Sequence, residues 1–190
     1  MSFLSKLLFK NKTQEIPAAG SDSILIKGEE LKRSVNEVFG RSLFVRLVDS
    51  GSCNACENEL AALSNPYYDL ERFGIKFVAS PKHADVLIIT GCVTRNMLNP
   101  MLKTYENIPS PKFVITAGDC PETGGPFKDS YSVCGPVSKY LNIAVHIKGC
   151  PPEPETIISG FLKFMDILKA SYRNTENTSI KMPNKIINVP

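Results

Sequence analysis

The strongest pattern along the chain is a series of short apolar runs separated by polar, glycine-marked stretches. Leu43–Asp49 (LFVRLVD) is β-branched and apolar enough for a buried strand. Gly74–Ala79 (GIKFVA), Ala84–Thr90 (ADVLIIT), Lys112–Ala117 (KFVITA) and the short Ala144–Ile147 follow the same pattern. Helical stretches lie between them. Asn54–Ser64 ends at Asn65-Pro66, and Thr94 to about Asn107 reads as helix despite Pro100. Pro154–Lys169 places Ile157, Phe161, Phe164, Met165 and Leu168 on one side of an amphipathic helix. Strands alternating with helices predict an α/β fold whose parallel sheet is covered on both faces. In such sheets functional groups gather at the carboxyl ends of the strands.

The two ends read differently. In Met1–Lys12 (MSFLSKLLFKNK), Phe3, Leu4, Leu7 and Leu8 share one helical face and lysines occupy another. Such a segment either frays and packs locally, or touches a membrane surface or a partner subunit. Residues 13–23 read as a linker, and the polar, Asn-rich stretch from about Tyr172 to Pro190 as a loose tail. The expected division is an N-terminal segment and linker over 1–42, one domain over 43–170, and a tail over 171–190. No apolar run approaches the roughly 20 residues of a bilayer-crossing helix. The N-terminus shows neither the long apolar core nor the cleavage site of a secretory signal, so an unexported protein is expected.

Composition narrows the classes further. The chain has 190 residues, 43% hydrophobic and 22% charged, which suits one soluble domain with a real core. A net charge of +3, spread evenly, argues against nucleic acid as a partner.

The six cysteines change the picture most. Cys53 and Cys56 form a C-x-x-C just after the first strong strand, in DSGSCNACE. Cys120 follows the strand Lys112–Ala117 in AGDCP, and Cys150 follows Ala144–Ile147 in KGCPP. Four cysteines at strand exits of one parallel sheet can converge at one edge. A reducing compartment disfavours disulfides. Zinc accepts four thiolates, usually from two tight C-x-x-C pairs, and here only one pair is tight. A dithiol redox pair also fits a C-x-x-C after a strand, but leaves Cys120 and Cys150 without a role. A 4Fe–4S cluster needs four thiolates, one per iron, and accommodates one close pair with two distant ligands. Pro121 and Pro151 stiffen the loops after the distant cysteines. Gly51, Gly118 and Gly149 precede the candidate ligands and allow close backbone approach to sulfur. On the residues alone, iron–sulfur, zinc and dithiol chemistry all stand, beside the plainer possibility of buried small hydrophobes.

The order C-x-x-C-E, G-D-C, G-C-P-P, together with Asn65–Gly91 (NPYYDLERFGIKFVASPKHADVLIITG) and Val93–Met97 (VTRNM), resembles the small subunit of nickel–iron hydrogenases. It is similar above all to the membrane-associated, energy-conserving type related to complex I, and to the complex I 20 kDa subunit that carries the terminal 4Fe–4S cluster beside the quinone site. The resemblance covers about residues 43–170. It implies a flavodoxin-like domain holding one 4Fe–4S cluster on Cys53, Cys56, Cys120 and Cys150. It also implies docking on a large subunit, with the cluster facing that interface. The large subunit carries the nickel–iron centre in hydrogenases, and its complex I homologue helps form the quinone site. The other implied partners are a ferredoxin-like iron–sulfur subunit and membrane subunits. The implied position is peripheral, on the cytoplasmic side of the inner membrane.

The complex I subunit typically has adjacent cysteines at the first position, whereas Cys53-Asn54-Ala55-Cys56 resembles the hydrogenase arrangement. The expected function is therefore an electron-transfer subunit of a nickel–iron hydrogenase complex, with a complex I-like quinone-reducing subunit as the alternative. No cysteine-rich C-terminal extension is present in the sequence, so one cluster is expected.

Other residues carry two readings each. Cys92 lies past a strand, as a supporting residue or an alternative ligand, and Cys134 lies in an expected loop; the family pattern demands neither. Glu57 either serves the partner interface, by moving protons or tuning the cluster, or is a first-turn acid favoured at a helix N-terminus. Asp119 forms a turn or accepts loop hydrogen bonds. Arg95 balances cluster charge or is solvated. His83 is a surface or capping residue. His146 packs within its strand or lends pH dependence to a nearby cluster.

Overall fold

The computed structural model describes residues 21–173 and 187–189. The amphipathic segment Met1–Lys12 and the tail from 174 to 186 lie outside the described residues.

Five predicted strands form, β1 (Leu43–Asp49) with its expected bounds and the others slightly shorter than expected: β2 (Ile75–Phe77), β3 (Val86–Thr90), β5 (Phe113–Ala117) and β7 (Val145–Ile147). They pair in parallel in the order β2-β1-β3-β5-β7, which is the order of doubly wound flavodoxin-like sheets. A parallel sheet buried on both faces needs near-continuous apolar strands, and β3 and β5 are buried at every position. The period of two sorts their side chains. Val86, Ile88, Phe113 and Ile115 enter one core, while Leu87, Ile89 and Val114 enter the other.

Helices close both faces. The first core is covered by α1 (Ser21–Phe39), α2 (Ala55–Ala62) and α5 (Pro154–Arg173), through Ile24, Leu31, Val35, Leu60, Phe161 and Phe164. Phe164 packs edge-on against Phe113 with ring centroids 5.4 Å apart. The second core is covered by α3 (Arg95–Glu106), through Met101. Pro100 is tolerated there on the exposed side, and its carbonyl accepts a hydrogen bond from Thr104 Oγ1 at 2.8 Å.

Four features depart from the expected outline. Helix α1 lies inside the stretch 1–42 that was set apart from the domain; its buried Ile24, Leu31 and Val35 join the main core against α5. Helix α5 runs on to Arg173. In the stretch read as a loose tail, β8 (Ile187–Val189) pairs in parallel with β7 and extends the sheet by one strand. Cys134, placed in a loop, lies in β6 (Val133–Gly135), which pairs antiparallel with β4 (Val93–Thr94). Ladders this short take their pairing from tertiary contacts, and Cys134 packs on the second core.

Among the described residues, no helix is long and apolar enough to cross a membrane.

Candidate metal centre

β1, β3, β5 and β7 are neighbours in the sheet, and each releases a cysteine-bearing loop at its carboxyl end. β1 leads to Cys53 and Cys56, β3 to Cys92, β5 to Cys120, and β7 to Cys150. All six cysteines are free thiols. Cys56, Cys92 and Cys120 are buried, while Cys53 and Cys150 are exposed on the same edge.

The C-x-x-C turn is organised by Ser52. Its hydroxyl accepts the Asn54 N–H at 2.9 Å and donates to Glu57 Oε2 at 2.8 Å. Asn54 sits in the left-handed region at φ 70° and opens α2, so Cys56 enters the first helical turn and points inward. The other two loops are tied to each other. Gly118 N–H donates to Ile147 O at 2.9 Å, and Asp119 N–H to Gly149 O at 2.9 Å. Asp119 Oδ1 accepts the Gly149 N–H at 2.9 Å. Asp119 thus fixes the Cys120 loop to the Cys150 loop, a cross-loop role beyond a simple turn. Cys120 then begins a single helical turn, α4 (Cys120–Thr123).

Electrostatics join the four predicted ligands. Burial pushes the Cys56 thiol up to about 12, and negative charge on Glu57, Cys120, Cys53 and Cys150 adds to the rise. Cys120 is raised by burial first, and then by Cys150, Cys92 and Cys53. Cys56 and Cys120 therefore resist ionisation, first because they are buried and then because other thiols stand close by. A positive metal centre reverses that logic, since it stabilises all four thiolates at once.

Two glycines leave room at the sulfurs. A Cβ at Gly118 would stand 2.6 Å from Cys56 Sγ, and one at Gly125 would stand 2.6 Å from Cys120 Sγ. Gly118 was legible in the sequence; Gly125 was not, since it follows its cysteine by five positions. By contrast, a Cβ at Gly51 would meet Thr94, and one at Gly149 would meet Pro152. Those two serve the loop fold rather than a sulfur. Among the described residues, no three His, Cys, Asp or Glu side chains are gathered around a single-ion site. Glycines stand beside the sulfurs of Cys56 and Cys120, and a donor set of four thiolates suits an iron–sulfur group.

Cys92 is accounted for separately. Its thiol donates to Gly51 O at 3.1 Å, and its N–H donates to the same carbonyl at 3.2 Å. It pins the β3 exit to the C-x-x-C loop. Glu57 keeps one oxygen, Oε1, buried without a hydrogen-bond partner, and so does Arg46 Nε. Both residues line a cavity of about 370 Å³ with Leu47, Leu60 and Phe77. Glu57 stands in the first turn of α2, as a first-turn acid would, and is half-buried there. Arg95 is exposed at the start of α3, and His83 is exposed in a turn. His146 is fully buried, with Nδ1 2.7 Å from Thr116 Oγ1 and Nε2 3.0 Å from Glu122 Oε2. Ser52, Thr116 and Glu122 carried no sequence signal, because their partners meet only in three dimensions.

Comparison with known proteins follows the same edge. A family profile described as "NADH ubiquinone oxidoreductase, 20 Kd subunit" matches residues 53–164. Formate hydrogenlyase subunit 7 of Escherichia coli (strain K12) is 44% identical over 139 residues, covering 73% of this chain and 54% of that protein. The chain thus spans about half the length of that relative. The probable membrane-bound hydrogenase subunit mbhJ of Pyrococcus furiosus is 44% identical over 129 residues, covering 68% of this chain and 77% of that protein. Among solved structures, a chain of the membrane-bound sulfane sulfur reductase, an archaeal respiratory membrane complex, superposes with a TM-score of 0.63 at 34% identity. That match covers 78% of this chain and 83% of that one.

Proposed function

The chain belongs to the NADH ubiquinone oxidoreductase 20 kDa subunit family, and from that premise we propose that it is the electron-transfer small subunit of a multi-subunit nickel–iron hydrogenase complex. Members of this oxidoreductase family carry an iron–sulfur cluster. In this chain Cys53, Cys56, Cys120 and Cys150 hold one 4Fe–4S cluster. The observation that carries the proposal is the meeting of these four thiols at one sheet edge, with glycines facing the two buried sulfurs.

When bound, the cluster supplies one-electron transfer between the large-subunit site and neighbouring iron–sulfur proteins. The chain's own residues do the rest. Ser52 and Asp119 set the loops that present the thiolates. Gly118 and Gly125 keep side-chain atoms away from two sulfurs. The buried setting of Cys56 and Cys120 keeps water from that side of the site. The partner that contains the catalytic metal is a hydrogenase large subunit, and the complex also includes a ferredoxin-like iron–sulfur subunit and membrane subunits. The chain sits peripherally on the cytoplasmic side of the inner membrane.

Two features support the hydrogenase branch: the two-residue spacer in Cys53-Asn54-Ala55-Cys56, and relatives named as formate hydrogenlyase and hydrogenase subunits. The alternative is a complex I-like, quinone-reducing subunit carrying the terminal cluster. The family's own description, which names an NADH ubiquinone oxidoreductase, favours it. Metal analysis of the native complex, purified without oxygen, separates the two. Nickel together with iron supports the hydrogenase; iron without nickel keeps the cluster and moves the function toward quinone or ferredoxin chemistry.

A further inference from the structure

The loops carrying Cys120 and Cys150 come from adjacent parallel strands, so their relative position depends on the register of β5 against β7. Thr116 and His146 are direct partners in that register. His146 is completely buried between Val145 and Ile147 in a strand that is otherwise apolar. A buried imidazole is costly unless its ring nitrogens are engaged. Here both nitrogens reach across to the Cys120 side. Nδ1 meets Thr116 Oγ1 on β5 at 2.7 Å, and Nε2 stands 3.0 Å from Glu122 Oε2 on the helical turn that Cys120 begins. The second contact is close but is not an aligned hydrogen bond, so Nε2 lies against the carboxylate by packing of the two elements. With its proton on Nε2, the neutral ring accepts from the threonine hydroxyl at Nδ1. Three backbone and side-chain bonds already join Gly118 to Ile147 and Asp119 to Gly149. The histidine adds a strut beneath them that also holds the helical turn after Cys120.

We infer that His146 is a positioning residue for the cluster, holding the Cys120 turn and the Cys150 loop in register through Thr116 and Glu122. The inference rests on the cluster assignment proposed above. Residues beneath metal ligands typically change metal retention by about 10–100-fold when removed.

The test compares the native complex with His146→Leu, Glu122→Ala and Glu122→Gln, all purified without oxygen. The readouts are the rate of iron release to a chelator and the electron paramagnetic resonance signature of the reduced cluster. His146→Leu and Glu122→Ala release iron about 10–100-fold faster and show shifted g-values. Glu122→Gln, whose amide oxygen still faces Nε2, stays close to native. Glu122 is partly exposed, so Glu122→Ala carries the test even where His146→Leu fails to fold. Native g-values and native iron release in Glu122→Ala overturn the inference alone. A native complex without iron overturns the cluster assignment, and the inference with it.

Discussion

Gly118 and Cys56 touch in a way that leaves no place for a side chain: a Cβ on Gly118 would lie 2.6 Å from Cys56 Sγ, and Gly118 has φ +94°. Gly118→Ala therefore displaces a buried sulfur, and the expected result is loss of bound iron. Gly40 is the control. Its φ is +63° with nothing within 4 Å, so Gly40→Ala meets only backbone strain of about 1–2 kcal/mol and keeps its iron. Iron per chain and urea unfolding, measured side by side, distinguish the two effects. Full iron in Gly118→Ala would mean that the sulfur does not need this space.

Cys120 and Cys92 both lie near the edge, yet only one is assigned as a ligand. Cys92 donates its thiol hydrogen to Gly51 O at 3.1 Å. Serine can donate to the same carbonyl, so Cys92→Ser is expected to keep the cluster's visible absorption. Cys120→Ser is expected to lose most of it, because a serine hydroxyl is a poor substitute for a cysteine thiolate as the terminal ligand of one iron. Equal absorption in the two variants would contradict the ligand set.

His146 also predicts how stability depends on pH. Burial lowers its affinity for a proton, and Glu122 and Asp119 offset only part of that. The unfolded chain, with an ordinary value of 6.5, then binds the proton more readily than the folded one. Stability from this residue is present above that value and is lost as the pH falls below it. Thermal unfolding across this range should show a shallower acid-side decline in His146→Leu than in the native chain. A parallel decline in both would remove His146 from the account of acid sensitivity.

At the opposite end of the sheet, Asp85 clamps the starts of β1 and β3. It accepts two hydrogen bonds from Arg41, at 2.9 and 2.7 Å, and one from the Phe44 N–H at 3.0 Å. Arg41 is half exposed, so solvent screens much of the ion pair and the backbone bond matters more. Asp85→Ala is expected to cost about 1–3 kcal/mol while leaving iron content unchanged. A loss of iron in this variant would show that the far edge of the sheet is coupled to the site.

Much of this architecture was legible because parallel strands announce themselves. Val86–Thr90 and Phe113–Ala117 are apolar at nearly every position, as burial on both faces requires. The exits of β1, β5 and β7 carry the four cysteines to one edge, a placement that follows from strand order alone. Helix α1 was missed because its fully buried contacts reduce to a narrow stripe of Ile24, Leu31 and Val35 among charged residues. β8 is three residues long, too short for any periodicity. The Thr116–His146–Glu122 series depends on strand register, and the space at Gly125 depends on where Cys120 turns, so neither follows from spacing in the chain.

The central claim is that Cys53, Cys56, Cys120 and Cys150 hold a single 4Fe–4S cluster. Iron and acid-labile sulfide, counted per chain in the native complex and in Cys150→Ser purified without oxygen, test it most directly. The account predicts about four iron and four sulfide in the native chain, with a marked loss in the variant. Zinc in place of iron, or undiminished iron and sulfide in Cys150→Ser, would contradict it.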